Sequence, residues 1–330
     1  MVLADCLEFK AGTNVAAAES LALLKRARDA AMRARQLGDN SQRLNELLAR
    51  LDTPEPRPRK FSEILQADQA MKDGEQALGT GDYDAALKAY TAALSFDPKL
   101  YTAAMYAGEM SFRKKDPAGA ADWFTKAVAL NPNNPVVYRH WGDELMMAGQ
   151  PAEARDKYIE AVITLPVPQS WSALSNWAKR TNHQLSPPKI DRPPVADQAP
   201  ATGSDSMTAS MTTSDDGRAA WKSYSAVRAA WRQSVFVEKY PAEKDYRHTL
   251  EEEAAALTSV ALALDFQKPL HLDPQLATLC ELKDAGLIEA WILLTGVDAG
   301  IARDYPAYRE KHRLQLRTYI EKYVIRAAGS

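Results

Sequence analysis

The chain has 330 residues, 46% of them hydrophobic and 25% charged, with a formal net charge of −2. That length holds two domains with linkers, and the composition is that of an ordinary globular protein. The near-neutral balance excludes a global field that would draw nucleic acid, and no apolar run reaches the ~18–20 residues of a membrane span.

Residues 15–37 are rich in Ala, Leu and Arg and predict a helix. Gly38-Asp39-Asn40-Ser41 breaks it and offers caps for a second helix. Leu44, Leu47, Leu48 and Leu51 form an apolar stripe on that second helix, so the two are expected to make a hairpin. Lys25, Arg26, Arg28, Arg33 and Arg35 read as a solvated basic face, with a membrane-surface or nucleic-acid helix as the other reading. Pro54 to Lys60 reads as an extended linker that completes an N-terminal segment, 1–60. A basic region followed by an apolar core is missing at the start, so a cytoplasmic location is the default expectation. A secreted or periplasmic one follows if a signal has been trimmed.

From Ala67 the sequence repeats. Gly74, Gly108 and Gly142 are 34 residues apart (108 − 74 and 142 − 108). The same step of 34 relates Ala86, Ala120 and Ala154, then Tyr90, Phe124 and Tyr158, then Ala93, Ala127 and Ala161, then Pro98, Pro132 and Pro166. Glycine lets a partner helix come close, and the alanines continue that approach on a second helix. The aromatic residues are expected to fill the space between repeats, and the prolines to stop the second helix. Gly81-Asp82-Tyr83 and Gly149-Gln150-Pro151 are turn signals between the two helices, and Lys114-Lys115-Asp116-Pro117 holds that place in the middle repeat.

This order of small, aromatic and proline columns resembles the tetratricopeptide repeat (TPR) family, over Ala67 to Pro166. The resemblance implies helix–turn–helix repeats stacked into a right-handed superhelix that binds peptides or partner proteins. The early aromatic of the family is Tyr138 in the third repeat but Ala70 and Ala104 in the first two. Ala77 and Ser111 stand where Tyr is common.

After the third repeat, Trp171, Leu174, Trp177 and Ala178 keep a helical period and end in Lys179, Arg180 and His183. This reads as the polar cap a repeat array needs, closing a segment 61–185. Residues 186–217, rich in Pro, Ser, Thr and Asp, read as a flexible linker. Helical patterning returns in 218–330 without a period of its own. Trp221, Tyr224, Arg228, Trp231 and Val235 share a face, and Pro241 is expected to start a helix carrying Leu250, Leu257, Val260 and Leu264. Asp273-Pro274 reads as a helix start, Gly286 and Gly296 as helix ends, and Tyr305 to Arg326 as one long last helix with Leu316, Ile320, Tyr323 and Val324 inward. The expected fold is all-α: a TPR α-solenoid of three repeats and a capping helix, between an N-terminal hairpin and a C-terminal helical domain. The layout resembles bacterial TPR proteins whose C-terminal helical region has no assigned activity.

Catalytic signatures are missing: no G-x-S-x-G, HExxH, P-loop or G-x-G-x-x-G occurs. His248 with Glu251 and Glu252 has the spacing of half a metal site, but without a second ligand set it reads as an exposed charged helix face. Cys6 and Cys280 lie far apart and read as free thiols. Nothing in the spacing couples Cys280 to His271 or His312. No catalytic residue, cofactor or metal is therefore expected.

The resemblance places the binding surface on the first helix of each repeat. On this sequence the inward positions are Met71, Met105 and Arg139, then Glu75, Glu109 and Asp143, then Leu78, Phe112 and Met146, with Arg113 beside them. Family members that bind C-terminal carboxylates do so through Lys and Asn at sites that hold Met and Glu here, which disfavours that mode. An acidic, Met-rich groove suits a basic, apolar peptide or helix. In the other reading the acids are solvated, or pair with Lys72, Arg113 and Arg139 in the same chain. The expected function is a protein–protein interaction adaptor or scaffold. The alternatives are a TPR-regulated enzyme with chemistry in 218–330, or a structural subunit of an envelope complex.

Overall fold

Every repeat closes on the same contact, an aromatic ring lying where a glycine side chain would be. In a computed structural model of the chain, a Cβ built on Gly74 lies 2.4 Å from Cε1 of Tyr90. Gly142 meets the Tyr158 ring at 2.6 Å, and Gly108 meets the Phe124 ring at 3.0 Å. The aromatic column thus packs inside its own repeat, onto its own glycine, rather than only between repeats as expected. Ala86, Ala120, Ala154, Ala93, Ala127 and Ala161 are all 0% exposed around these rings, because only a methyl fits at that approach.

The structure describes residues 17–36, 44, 47, 48, 51, 60–193, 216–267, 269 and 271–328. The break at 38–41, most of the first linker, Cys6 and most of the second linker lie outside the described residues. Two compact bodies divide the chain, 1–107 and 108–330.

In the first body, α1 (Ala17–Gln36) buries Ala27 and Ala31 against Leu44, Leu47, Leu48 and Leu51, the contact a hairpin requires. Helices α2 (Leu65–Gly79) and α3 (Tyr83–Phe96) form the first repeat. Their turn uses Gly81 at φ +77°, and Asp82 caps α3 by accepting from the Ala85 N–H at 2.9 Å. Ser62 donates to Asp97 at 2.6 Å, tying the approach to α2 to the end of α3. The Tyr106 ring rests on Tyr90 with centroids 5.3 Å apart. Tyr106 belongs to α4 (Tyr101–Arg113), which runs across the division between the bodies.

In the second body, α5 (Pro117–Leu130) completes the middle repeat, α6 (Pro135–Met147) and α7 (Pro151–Thr164) make the third, and α8 (Pro168–Arg180) follows as the capping helix. Each of α5 to α8 has proline in its first turn, where a missing N–H costs nothing. Strand β1 (His183–Leu185) pairs antiparallel with β2 (Ile325–Ala327), with Gln184 opposite Arg326. The C-terminal helices are α9 (Trp221–Ala230), α10 (Phe236–Lys239), α11 (Leu250–Gln267), α12 (Pro274–Asp284), α13 (Ile288–Thr295), α14 (Ala299–Ala302), α15 (Tyr305–Lys311) and α16 (Arg313–Tyr319).

One hydrophobic core runs from the third repeat through the capping helix into these C-terminal helices. Tyr158, Ile163, Leu174 and Trp177 share it with Leu257, Trp291, Leu316 and Tyr319. Polar ties follow the same seam. Tyr305 donates to the Ile163 carbonyl at 2.7 Å, and Arg317 pairs with Glu160 at 2.7 Å. The separation expected at 186–217 therefore does not divide the core. Ile190 is buried, Trp291 donates to the Pro188 carbonyl at 3.1 Å, and Arg192 pairs with the wholly buried Glu253 at 2.8 Å. Proline-rich sequence reads as loose, yet buried Ile190, the Arg192–Glu253 pair and bonds joining Ser186, Pro188 and Asp191 to Val324, Trp291 and Gln275 strap 186–193 to the body.

Two further expectations change. Pro241 starts no helix: the chain leaves α10 at Lys239 and re-enters a helix only at Leu250. Between them Arg247 satisfies the segment by bonding Glu243 at 3.0 Å, Asp304 at 2.8 Å and the Gly300 carbonyl at 2.9 Å. The last helix is broken at His312 (φ −129°, ψ 34°) and stops at Val324, where Ile325 turns extended to join β1. Among the described residues, no helix is long and apolar enough to cross a membrane.

Candidate functional site

The expected groove residues fall in both bodies. In the first, Met71 and Met105 are 0% and 2% exposed and belong to the core, while Glu75 and Leu78 are half-buried. Met71 turns inward because α2 and α3 approach so closely at Gly74 that the neighbouring turn is enclosed as well.

Within 108–330 the end of α4, the length of α6 and the start of α8 build one surface. Glu109 hydrogen-bonds the His140 ring, and Arg113 lies 3.6 Å from the buried Glu144. Both pairs are 31 residues apart, one repeat less three, so a side chain meets the next first helix one turn early. Asp143 is exposed, and its Oδ1 accepts from the Tyr158 hydroxyl at 2.7 Å. That hydroxyl comes from the same ring that covers Gly142. Phe112 and Met146 are half-buried, and Met147 is 58% exposed. Phe112 leans on Phe124, which stacks on Trp141 with centroids 5.5 Å apart, and the Lys157 ammonium sits 3.3 Å from the Trp141 ring centre.

Charge on this surface is already partly matched. Burial works against a charged His140, but the hydrogen bond and charge of Glu109 outweigh it and hold the ring above its ordinary value. Glu144 is pushed up, first by burial and then by the Glu109 and Asp143 charges, against Arg113. Arg139 differs: burial pulls it down, the Asp143 charge only partly compensates, and its Nε is buried without a hydrogen-bond partner. Arg139, His140 and Asp143 line a cavity of about 490 Å³ with Ser172, Ala173 and Asn176 of α8.

Of the residues the sequence singled out here, Glu109 and Arg113 reach His140 and Glu144 of α6, Arg139 and Asp143 share the cavity, and Phe112 and Met146 pack half-buried against the core. Sequence reasoning missed His140, Glu144, Ser172 and Asn176. The first two sit one residue after the compared positions Arg139 and Asp143, and α8 has no column at all. The step of 31 is the signal that finds His140 and Glu144.

In the C-terminal helices His248 is not part of a helix face. Its Nδ1 lies 2.6 Å from Asp298 and its Nε2 3.0 Å from Glu253. Glu251 pairs instead with Lys239, and Glu252 with Arg228 at 2.6 Å and Tyr246 at 2.8 Å. Glu253, wholly buried, also accepts from Arg228, Tyr224 and Arg192. Burial would raise its carboxyl, but the bonds from His248 and Arg192 overcome that and hold it at about 2. Among the described residues, no group of three or more His, Cys, Asp or Glu could hold a metal ion. Cys280 is a free thiol.

Residues 73–135, from within α2 to the first residue of α6, match the tetratricopeptide repeat family. Among solved structures, the first TPR of Spaghetti (RPAP3) bound to HSP90 peptide SRMEEVD is 22% identical, with 36% of this chain and 98% of that chain covered and a TM-score of 0.32. The crystal structure of MamA protein is 15% identical, with 68% of this chain and 91% of that chain covered and a TM-score of 0.30. No curated protein matches the chain.

Proposed function

We propose that this chain is a protein–protein interaction adaptor or scaffold, holding a peptide or a partner's helix against the first helices of its repeats. The observation that carries the proposal is the family match over 73–135, since stacked helical pairs build an extended binding surface. The site we assign lies within 108–330, on the end of α4, α6 and the first turns of α8. Phe112, Met146 and Met147 supply apolar area there, and methionine adapts to varied partners. Those contacts carry most of the affinity. Partly exposed ion pairs add only ~0–1 kcal/mol each and act on selectivity and rate.

A basic ligand was expected from three acids at one position of the repeats. Of these, Glu109 is engaged by His140 and Asp143 by Tyr158, so the acids alone do not define the ligand. The reading of an enzyme with its chemistry in 218–330 has no observation of its own. The nearest set to a catalytic constellation, His248 with Glu253 and Asp298, has both ring nitrogens facing carboxylates.

The test is selection of short random peptides on the full chain, followed by binding to Asn176→Trp and Met147→Glu. Both positions are exposed, so the fold tolerates the changes. Selected peptides should lose about tenfold or more in affinity, ~1.4 kcal/mol, on at least one variant. Failure to select any peptide, or equal binding to parent and both variants, contradicts the proposal.

A further inference from the structure

A larger cavity, of about 780 Å³, lies among the C-terminal helices, within the size range of small-molecule sites. Buried Leu250 and the half-buried Tyr240 and Tyr308 rings give it apolar wall. The Tyr308 ring stacks on His312 with centroids 4.5 Å apart, where α15 ends and the backbone leaves the helix at φ −129°. At this break Lys311, the last residue of α15, and Gln315 of α16 meet the same cavity. Glu289 reaches it from the first turn of α13.

Two of the carboxylates here are spent within the fold. Asp304 accepts from Arg247 at 2.8 Å and from the Leu250 N–H at 2.8 Å, and Glu251 pairs with Lys239. Glu289 and Lys311 are not spent. Among the described residues neither makes an ion pair or a side-chain hydrogen bond, with the other or with any neighbour, and the Tyr308 hydroxyl and the Gln315 amide make none either. A carboxylate and an ammonium on separate helices thus line one cavity without reaching each other. A ligand of a single sign would satisfy one of them and meet the other as a like charge, whereas a ligand carrying both signs satisfies both. Burial, and then the Glu289 charge, holds the Tyr308 phenol above its ordinary value, so its hydroxyl stays a donor. Partly exposed ion pairs are individually weak, so the ligand must also bring apolar area to Leu250 and the tyrosine rings.

We infer that this cavity binds a small zwitterion of the α-amino-acid kind, its ammonium on Glu289, its carboxylate on Lys311 and an apolar or aromatic side chain against Leu250, Tyr240 and Tyr308. The chain then carries a small-molecule site on its C-terminal helices, independent of the peptide-binding reading of the repeats. A peptide terminus presents only one of the two charges and does not fit.

The experiment is thermal unfolding of the full chain with each proteinogenic amino acid in turn at about 10 mM, followed by titration of those that raise the melting temperature. At least one with an apolar or aromatic side chain should raise it saturably and by more than glycine does. Its N-acetyl derivative, which lacks the cation, and its amide, which lacks the anion, should each bind about tenfold more weakly. On Glu289→Gln the amino acid and its N-acetyl derivative should bind alike, and on Lys311→Met the amino acid and its amide should bind alike. No rise beyond glycine's, or either derivative binding as tightly as the amino acid itself, overturns the inference. So does a preference that survives the variant meant to remove it. Lys311 is exposed and Glu289 holds no bond within the fold, so both variants should stay folded. Should one fail to fold, the two derivatives on the parent chain still decide.

Discussion

Glycines at the helix–helix approach and at a helix end meet different space, and this grades the effect of replacing them. A Cβ at Gly142 would lie 2.6 Å from the Tyr158 ring, at Gly108 3.0 Å from Phe124, and at Gly79 it meets nothing within 4 Å. Gly142→Ala should therefore destabilise by ~1–3 kcal/mol, and more than Gly108→Ala, because Tyr158 must also keep its bond to Asp143. Gly79→Ala, at the last residue of α2, should stabilise by up to ~1 kcal/mol. Urea unfolding of the three variants checks the order, and equal midpoints would refute it. The inter-helix turns give a second series. The repeat step places Gly81, Lys115 and Gly149 together, at φ +77°, +63° and +75°. Lysine is strained there by ~1–2 kcal/mol, against ~0.5–1 kcal/mol of extra chain entropy for glycine, so Lys115→Gly should stabilise slightly. The next position holds Asp82, Asp116 and Gln150, and only the two aspartates cap their helices. Gln150→Asp should add ~1 kcal/mol. A lower melting temperature for either variant would contradict the turn geometry.

At the scale of elements, α4 and α6 are joined by the Glu109–His140 bond, and its pH dependence has a definite sign. The ring is held above its ordinary value, with Glu109 and Asp143 raising it against burial and Arg139. Its stabilisation is complete below ~6.5 and is lost as pH rises through the raised value. The stability gap between parent and His140→Gln should shrink from pH 6 to pH 9, and a constant gap would show that the pair carries no proton-linked stability. The elements themselves were legible where a column repeats. The Gly, Ala, aromatic and Pro columns specify helix pairs, since each is one-dimensional information that recurs every 34 residues. What joins the elements was not legible. Glu253 gathers Arg192, Tyr224, Arg228 and His248 from three segments that share no period, and only the fold brings them together. For the same reason the site was half visible: Arg139 and Asp143 stood in columns, whereas Ser172 and Asn176 come from a helix that repeats nothing.

For the molecule, the third repeat, the capping helix and the C-terminal helices share one core, so cutting the chain should not separate them. Tyr158, Leu174 and Trp177 would otherwise lose their cover from Leu257, Leu316 and Tyr319. A protease site engineered between Pro193 and Asp216 should yield two pieces that stay together on gel filtration, whereas their separation would contradict a common core. A fragment ending at 185 would expose that core. The account's central claim, that the chain binds a peptide on the face of α4, α6 and the start of α8, is tested most directly by hydrogen exchange on the full chain with and without a selected peptide. The account predicts slowed exchange in 108–113, 135–147 and 168–173, with 250–267 unchanged. Slowed exchange confined to 218–328, with those three stretches unaffected, would contradict it.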